Sequence, residues 1–249
     1  MSNAKLKLVQ KLKLKKYRDE FKLFVAEGLR LCEFATEIEF GFYTADFLKD
    51  ERAAKLIEKV KAVAQVYEIS AATFEKISDT KTPQGIMLIV RQKFWTLEEI
   101  LAQKLIVVLD AVHDAGNLGT ILRTAEAFGC GVIILEDSAD IFNPKVVRAS
   151  MGAIFFLPAV KMTRTEFLNA MKKFDIEILS AALDSTAEIY YKHNFKKKSA
   201  VVFGSEAEGV SAEILSSSKK IYIPMTGRAE SLNVATAAGI IIAEGVKKI

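Results

Sequence analysis

The sequence predicts an α/β protein of two domains, the second of them built on a parallel sheet. Short apolar, β-branched segments alternate with helical patterns along the 249-residue chain, as they do in α/β folds. In the second half, segments such as 105–109 are almost continuously apolar, which is typical of strands buried on both faces of a parallel sheet. The pattern breaks into mixed polar residues around 91–96. We therefore predict a first domain at 1–95, a linker at 96–104 and a second domain at 105–249.

The N-terminal segment is rich in lysine and predicts an amphipathic helix. Leu6, Val9 and Leu12 recur at helical spacing and would form its apolar stripe. The basic residues of this segment are Lys5, Lys7, Lys11, Lys13, Lys15, Lys16, Arg18 and Lys22. Such a face can be an ordinary solvated surface or a surface for phosphates. Basic residues outnumber the acidic residues of this segment, which are mainly Asp19 and Glu20. This excess of positive charge favours a surface that binds phosphates.

The other elements of the first domain follow from the same periodicities. Strands are predicted at 23–25, 40–44, 66–69 and 85–90, and helices at 27–36, 51–63 and 72–77. Together they predict an α/β sandwich of about ninety residues.

The second domain contains a longer alternating series. Strands are predicted at 105–109, 132–135, 155–157, 176–183, 200–203 and 220–223. Helices are predicted at 118–128, 144–151, 166–174 and 213–218, with a last helix from Ser231 as N-cap to about 246. Ligands of parallel sheets bind beyond the carboxyl ends of the strands, so the loops at those ends are the candidate site.

Composition excludes several other classes of protein. The chain is 51% hydrophobic with a net charge of +4, and no uncharged apolar run approaches the length of a membrane span. Cys32, Cys130, His113 and His193 stand alone, without metal-ligand spacing. We therefore expect a cytoplasmic protein without a metal or a membrane anchor.

The first candidate loop covers 114–119 and leads into a helix that carries Arg123. Gly116 and Gly119 are expected to turn the backbone onto this helix, with Asn117 as its N-cap. From composition alone, Arg123 could equally form a buried structural ion pair or serve a site.

The second candidate loop covers 204–211 and follows an apolar strand. It combines Gly204 and Gly209 with the carboxylates of Glu206 and Glu208. It lacks the lysine and hydroxyl residue of a phosphate-binding loop, and neither glycine loop has the three spaced glycines of a dinucleotide fingerprint.

The third candidate loop lies between the last strand and the last helix. Pro224 ends the strand because proline cannot donate to the ladder, and Gly227 allows a tight turn. The loop is too polar for a connection between two apolar elements to be explained by core closure alone.

In order and spacing, the three loops resemble the motifs of the SpoU (TrmH-like) group of SPOUT RNA 2′-O-ribose methyltransferases. The matching stretches are 117–125, 204–209, and 223–225 through 231–235. Two further stretches, 24–31 and 77–85, are similar to the RNA substrate-binding domain often fused to this group. Ala115, where proline is frequent, and Ala207, where glycine is common, are minor departures that remove no polar group.

The resemblance implies a fold and an activity. It implies a parallel-sheet SPOUT domain with a deep trefoil knot, plus a smaller ribosomal-protein-like α/β sandwich domain at the N-terminus. It also implies transfer of a methyl group from S-adenosylmethionine to a ribose 2′-hydroxyl of RNA. The implied cofactor-binding residues are Gly204, Glu206, Gly209, Ile223, Met225 and Leu232. The implied catalytic residues are Asn117, Arg123, Glu206, Ser231 and Asn233. For Arg123 we favour an electrostatic clamp over a base, because guanidinium stays protonated.

The resemblance leaves the RNA open. Ribosomal RNA is favoured over transfer RNA because of the added N-terminal domain. An RNA-binding protein without catalysis would have lost the polar residues of the site, and an oxidoreductase would carry the dinucleotide fingerprint. The family's knotted domains pair, and the small-residue stripe of Ala235, Ala238 and Gly239 offers a face for close helix packing, so we expect a homodimer.

Overall fold

The computed structural model describes residues 3–249, which cluster into two compact units. One unit is formed by the described residues up to Lys93 together with Asp140–Phe155. The other is formed by Phe94–Ala139 together with Phe156–Ile249. Each unit has its own sheet and hydrophobic core.

Eleven strands lie within the described residues. They are β1 (Leu23–Glu27), β2 (Ile38–Tyr43), β3 (Gln65–Glu68), β4 (Ile86–Arg91), β5 (Leu105–Leu109), β6 (Gly131–Leu135), β7 (Ala159–Met162), β8 (Glu177–Ala181), β9 (Glu188–Ile189), β10 (Ser199–Phe203) and β11 (Lys219–Tyr222). The first four form one sheet and the other seven form the second sheet.

The same residues contain eleven α-helices. They are α1 (Asn3–Leu12), α2 (Lys15–Phe21), α3 (Leu29–Cys32), α4 (Glu51–Lys61), α5 (Ala71–Ile77), α6 (Leu97–Leu101), α7 (Ala115–Ala127), α8 (Pro144–Ala149), α9 (Arg164–Lys173), α10 (Ala212–Leu215) and α11 (Val234–Lys248). Short 3-10 helices lie at Ala45–Lys49 and Ala153–Phe155. None of these helices is both long and apolar enough to cross a membrane.

The first unit is a four-stranded mixed sheet in the order β1-β4-β2-β3, with only β2 and β3 parallel to each other. The amphipathic pattern predicted for α1 is confirmed, since Val9 and Leu12 are buried in the core of this unit. Helix α4 is capped by Asp50, whose side chain accepts a hydrogen bond from the Ala53 amide. These contacts confirm the small N-terminal α/β domain.

Helix α3 is shorter than the helix predicted at 27–36. Strand β1 continues to Glu27, and Gly28 has a φ of 102°, outside the helical region. The helix therefore starts at Leu29 and covers a single turn.

The second unit is a seven-stranded, all-parallel sheet in the order β7-β6-β5-β10-β8-β11-β9. Every residue of β5, β6 and β10 is buried, as the continuous apolar runs predicted. The predicted linker at 96–104 contains α6, whose Ile100 is buried in the core of this unit. That segment is therefore a folded part of the second unit.

The strand predicted at 155–157 is wrong. Phe155 ends a 3-10 helix, Phe156 is 47% exposed and Leu157 is buried, so this apolar run lies in a connection and does not pair in a sheet. The strand of this region is β7, which pairs with β6. The two-residue strand β9 is too short to give a periodic signal and was not predicted.

The small-residue stripe on α11 does not form a free face. Ala235 is 7% exposed and Ala238 is fully buried, because α11 packs against α7, β5 and β10 of its own chain. At Gly239, the third predicted residue, no atom lies within 4 Å of the position that a Cβ would take.

Arg18 was expected on the basic N-terminal surface and is instead only 2% exposed. Its guanidinium forms an ion pair with Asp140 at 2.7 Å and donates to the carbonyl oxygens of Leu12 and Lys13 at 2.8 Å. It therefore joins α1, α2 and the 140–155 segment within the first unit.

We predict that Arg18→Ala will lower the free energy of unfolding by about 3 kcal/mol, because it leaves a carboxylate and two carbonyl groups without their donor. Urea denaturation followed by circular dichroism measures this loss. Arg52→Ala is the matched control, since Arg52 pairs with Glu33 in a solvent-exposed position and should leave the midpoint near wild type. Equal midpoints for the two variants would contradict the structural role of Arg18.

Candidate active site

The candidate site lies at the carboxyl edge of the seven-stranded sheet. The three predicted loops follow β5, β10 and β11, which lie close together in the order β5-β10-β8-β11. Because these strands are parallel, all three loops leave the same edge.

The first loop turns into α7 earlier than predicted. Asp114 is the N-cap, and its Oδ1 accepts a hydrogen bond from the Asn117 amide at 2.8 Å. The prediction of Asn117 as N-cap is therefore wrong, as is that of a turn at Gly116 and Gly119, which both lie inside the helix. Asp114 precedes them and already satisfies the first free amide, so Asn117 is in the first turn with its side chain available.

The second loop is a tight turn closed by its two glycines. The backbones of Ser205 and Gly209 exchange two hydrogen bonds, of 3.1 and 2.9 Å. Gly209 has a φ of 71°, and a Cβ on Gly204 would lie 2.0 Å from the carbonyl carbon of Gly209. Only glycine fits at position 204, and the turn leaves Glu206 exposed at its tip.

The third loop ends at Asn233, which is the N-cap of α11. Its Oδ1 accepts from the amides of Ala235 and Thr236 at 3.0 and 3.3 Å. The prediction of Ser231 as N-cap is therefore wrong. Asparagine is as good a cap as serine and stands directly before the first helical residue.

A chain of side-chain hydrogen bonds connects the three loops. The Asn233 Nδ2 donates to Asn117 Oδ1 at 2.9 Å, and the Asn117 Nδ2 donates to Glu206 Oε1 at 2.5 Å. The amino-terminal ends of α7 and α11 both lie at this chain, and their positive dipole ends favour negative charge there. Three of the predicted catalytic residues are thus brought together.

The other two predicted catalytic residues are outside this chain. Arg123 is exposed on α7, six residues beyond Asn117 and about 9 Å further along the helix axis. Within residues 3–249 its side chain forms no hydrogen bond or ion pair, which excludes the buried structural pair. Ser231 is also exposed, and the described part of the chain provides no hydrogen-bond partner for its side chain.

The residues predicted to line a cofactor pocket offer an uncovered apolar surface. Ile223 and Met225 are half-buried, and Leu232 is 37% exposed. A Cβ on Gly209 or Gly227 would meet no atom within 4 Å. This part of the site can therefore accept a ligand that has both apolar and polar groups.

An ion pair that the sequence did not reveal anchors the second loop. Asp110 follows β5, is 1% exposed, and accepts from the Ser211 amide at 2.7 Å and from Arg164 Nε at 2.8 Å. This carboxylate fixes the end of the second loop to the end of β5. Arg164 is 54 residues away in sequence, so only the position of an aspartate directly after a buried strand could have indicated the contact.

The cysteines do not contribute a nucleophile to the site. Burial raises the pKa of the Cys130 thiol to about 12, and burial likewise raises the pKa of Cys32. Both thiols therefore stay protonated near neutral pH. No group of three or more His, Cys, Asp or Glu residues that could hold a metal ion occurs within residues 3–249.

Comparisons with known proteins cover nearly the whole chain. Residues 104–243 match the SpoU rRNA Methylase family, and residues 3–88 match the MRM3-like substrate binding domain. A relative in Bacillus subtilis, the 23S rRNA (guanosine(2553)-2′-O)-methyltransferase RlmP, is 33% identical over 96% of this chain and 95% of its own length.

Two solved structures resemble the fold closely. The AdoMet-bound rRNA methyltransferase from Sinorhizobium meliloti superimposes with a TM-score of 0.87 at 30% identity, covering 98% of this chain and 95% of that one. A putative RNA methyltransferase of the TrmH family from Porphyromonas gingivalis gives a TM-score of 0.84 at 31% identity, covering 100% and 99%.

We predict that Gly204→Ala will destabilise the protein by about 3 kcal/mol, because the new methyl group must displace the backbone at Gly209. Gly239→Ala is the matched control. That glycine lies inside α11 with open space around it, so the substitution should stabilise by about 0.5–1 kcal/mol. Denaturant unfolding measures both changes, and shifts of the same sign would contradict the close contact at Gly204.

Proposed function

This chain belongs to the SpoU rRNA methylase family, and we propose on that premise that it methylates a ribose 2′-hydroxyl of ribosomal RNA with S-adenosylmethionine as the methyl donor. The observation that carries the proposal is the hydrogen-bond chain Asn233–Asn117–Glu206, which unites the three family motifs at one edge of the sheet. Ribosomal RNA is favoured over transfer RNA because the names of the related proteins from Bacillus subtilis and Sinorhizobium meliloti specify rRNA.

The cofactor surface fits S-adenosylmethionine. Ile223, Met225 and Leu232 would cover its apolar parts, and the exposed backbone of Gly209 would contact its polar groups, while the buried Gly204 holds that backbone in place. When bound, this cofactor supplies a methyl group on a positively charged sulfur. No metal takes part in this proposal.

Glu206 orients the 2′-hydroxyl by accepting its hydrogen bond. One of its carboxylate oxygens is held by Asn117, and the carboxylate stands exposed at the tip of the second loop. A neutral hydroxyl is a poor nucleophile, so fixing its orientation and polarising its proton both lower the barrier. Ser231 and Asn233 complete the polar surroundings of the reacting oxygen.

Arg123 stabilises negative charge on the developing alkoxide or on the neighbouring phosphate. Long helical side chains point back toward the helix N-terminus, which directs Arg123 along α7 toward the site. Since guanidinium stays protonated, its contribution is electrostatic, and the proton leaves to a phosphate oxygen or to water.

The first domain, residues 1–95, binds the RNA, and residues 105–249 carry the transfer chemistry. The match of residues 3–88 to a substrate binding domain supports this division. Strand β10 lies between β5 and β8 although it follows both in sequence, and this order supports a trefoil knot in the second domain. A cytoplasmic location agrees with a ribosomal RNA substrate.

The enzyme functions as a homodimer. With Ala235 and Ala238 buried, the available part of α11 is the face that carries Gly239 and the half-buried Ile240. We predict a dimer mass by analytical ultracentrifugation at micromolar concentration. Substituting Ile240 with lysine should dissociate it, and a fully active wild-type monomer would contradict the dimer.

Mapping of blocked 2′-hydroxyls tests the proposed function directly. Ribosomal RNA from cells that lack this protein should lose one ribose methylation, and the purified protein with S-adenosylmethionine should restore it. If ribosomal RNA is unchanged and transfer RNA loses a ribose methylation, the substrate of the enzyme is transfer RNA instead.

We predict that Arg123→Ala will lower the single-turnover rate by about 10²–10³-fold, the effect of losing one preorganised electrostatic donor. S-adenosylmethionine affinity should stay near wild type, and Arg123→Lys should restore little activity because an ammonium lacks the planar fork. Glu126→Ala, further along the exposed surface of α7, is the control. Near-normal methylation by the alanine variant would exclude this role.

We also predict that Asn233→Asp will lower the transfer rate by about 10²-fold while α11 stays folded, because an aspartate keeps the cap acceptor but cannot donate to Asn117. The control is Asn143→Asp, since Asn143 caps α8 with its Oδ1. Rapid-quench kinetics measures the transfer rate, and circular dichroism shows whether α11 stays folded. A rate equal to that of the control would show that the link to Asn117 is dispensable.

A further inference from the structure

An exposed aromatic and lysine cluster lies on α2 and the end of α1 in the first unit. It consists of Lys11, Leu14, Lys16, Tyr17 and Phe21, and we name it the α2 patch. Leu14 is 60% exposed, Phe21 is 38% exposed and Tyr17 is half-buried. The rings of Tyr17 and Phe21 are nearly parallel, at an interplanar angle of 14° with centroids 6.2 Å apart.

The patch concentrates positive charge beside these rings. The ammonium groups of Lys11 and Lys16 lie 5.2 and 5.8 Å from the centroid of Tyr17. Each cation is attracted to the ring, and each would also attract a phosphate that lies beside it.

Neighbouring charges are already engaged elsewhere. Lys15 pairs with Asp19, Arg18 pairs with the buried Asp140, and Lys13 donates to the carbonyl oxygen of Ser78. The Lys15–Asp19 pair leaves the positive charge over Tyr17 uncompensated, and Glu20 is the remaining acid of α2.

We propose that the α2 patch binds an unpaired nucleotide of the RNA substrate, with its base stacked on the Tyr17–Phe21 pair and its flanking phosphates at Lys11 and Lys16. Accessible rings beside cations are the combination that single-stranded nucleic acids bind, because every base has a π-face and every nucleotide carries a phosphate. A duplex covers the faces of its bases, so the patch selects single-stranded RNA. This inference rests on the proposed function and names the part of the RNA that the first domain recognises.

The chain contains a matched control for an exposed aromatic residue. Phe174 is 45% exposed, and the ammonium of Lys173 lies 5.2 Å from its centroid. Among the described residues, Lys173 is the one cation over the Phe174 ring, and no second ring stacks on Phe174. If RNA bases stacked on any exposed ring, substitutions at Phe174 and in the α2 patch would both weaken RNA binding. The proposed site predicts weaker binding only for substitutions in the α2 patch.

The test is equilibrium binding of the full-length protein to a short single-stranded RNA containing iodouridine, and to an RNA duplex of equal length, over a range of salt. Tyr17→Ala combined with Phe21→Ala should weaken single-strand binding about 10–100-fold without changing the salt slope. Lys11→Gln combined with Lys16→Gln should reduce the slope by about 1.4, as expected for two phosphates of a single strand. Phe174→Ala should bind as wild type.

Photocrosslinking and a conservative variant test whether the RNA base binds at the Tyr17–Phe21 pair. The iodouridine should crosslink to Tyr17 or Phe21, and Tyr17→Trp should keep wild-type affinity because it preserves the stacking surface. The inference is overturned if the double ring variant binds the single strand normally, if it loses duplex binding equally, or if the crosslink maps elsewhere. If the double ring variant loses binding to anionic vesicles but binds RNA as the wild type does, the inference is overturned as well.

The failure of this inference can be told apart from the failure of the proposed function. If the wild type binds the oligonucleotide at the α2 patch but methylates no ribosomal RNA, only the proposed function fails. If the wild type methylates ribosomal RNA and the ring variants bind and methylate equally well, only the α2 patch fails.

Discussion

The site depends on the ability of two asparagine side chains to donate and accept hydrogen bonds at the same time. Asn117 accepts from Asn233 and donates to Glu206, so one carboxamide connects three loops that are distant in sequence. Asn233 also caps α11 with its carbonyl oxygen. A carboxylate or a hydroxyl cannot take over both functions in this geometry. The start of α11 and the position of the exposed Glu206 therefore follow from a single linked arrangement at the first turn of α7.

The frame that supports this arrangement is rigid because its anchors lie in the core. Strands β5 and β10 are wholly buried, and Asp110 holds the amide of Ser211 from the end of β5. The contact of Gly204 with Gly209 closes the second loop onto the end of β10. Exposed groups on fixed loops can contact ligands without a large ordering cost, which suits a reaction whose barrier depends on the alignment of two reactants.

The sequence predicted the wholly buried strands β5, β6 and β10 well because continuous apolar runs reflect burial directly. It also predicted that the three loops would lie at one edge, since parallel strands share one carboxyl edge. Its errors arose where local signals compete or tertiary contacts decide. Asp114 and Asn117, like Ser231 and Asn233, are cap candidates only two or three residues apart, and hydrogen bonding selects between them. No local pattern could show that Arg18 pairs with Asp140, 122 residues away.

The central claim is that the three motif loops act as one unit through the hydrogen-bond chain. A double-mutant cycle of Asn117→Ala and Asn233→Asp, measured as the single-turnover rate of methyl transfer to ribosomal RNA, tests it most directly. We expect the double variant to be about as slow as the slower single variant, which corresponds to a coupling energy on the order of 1–3 kcal/mol. Losses that simply add would show that the two asparagines act independently and would contradict the claim.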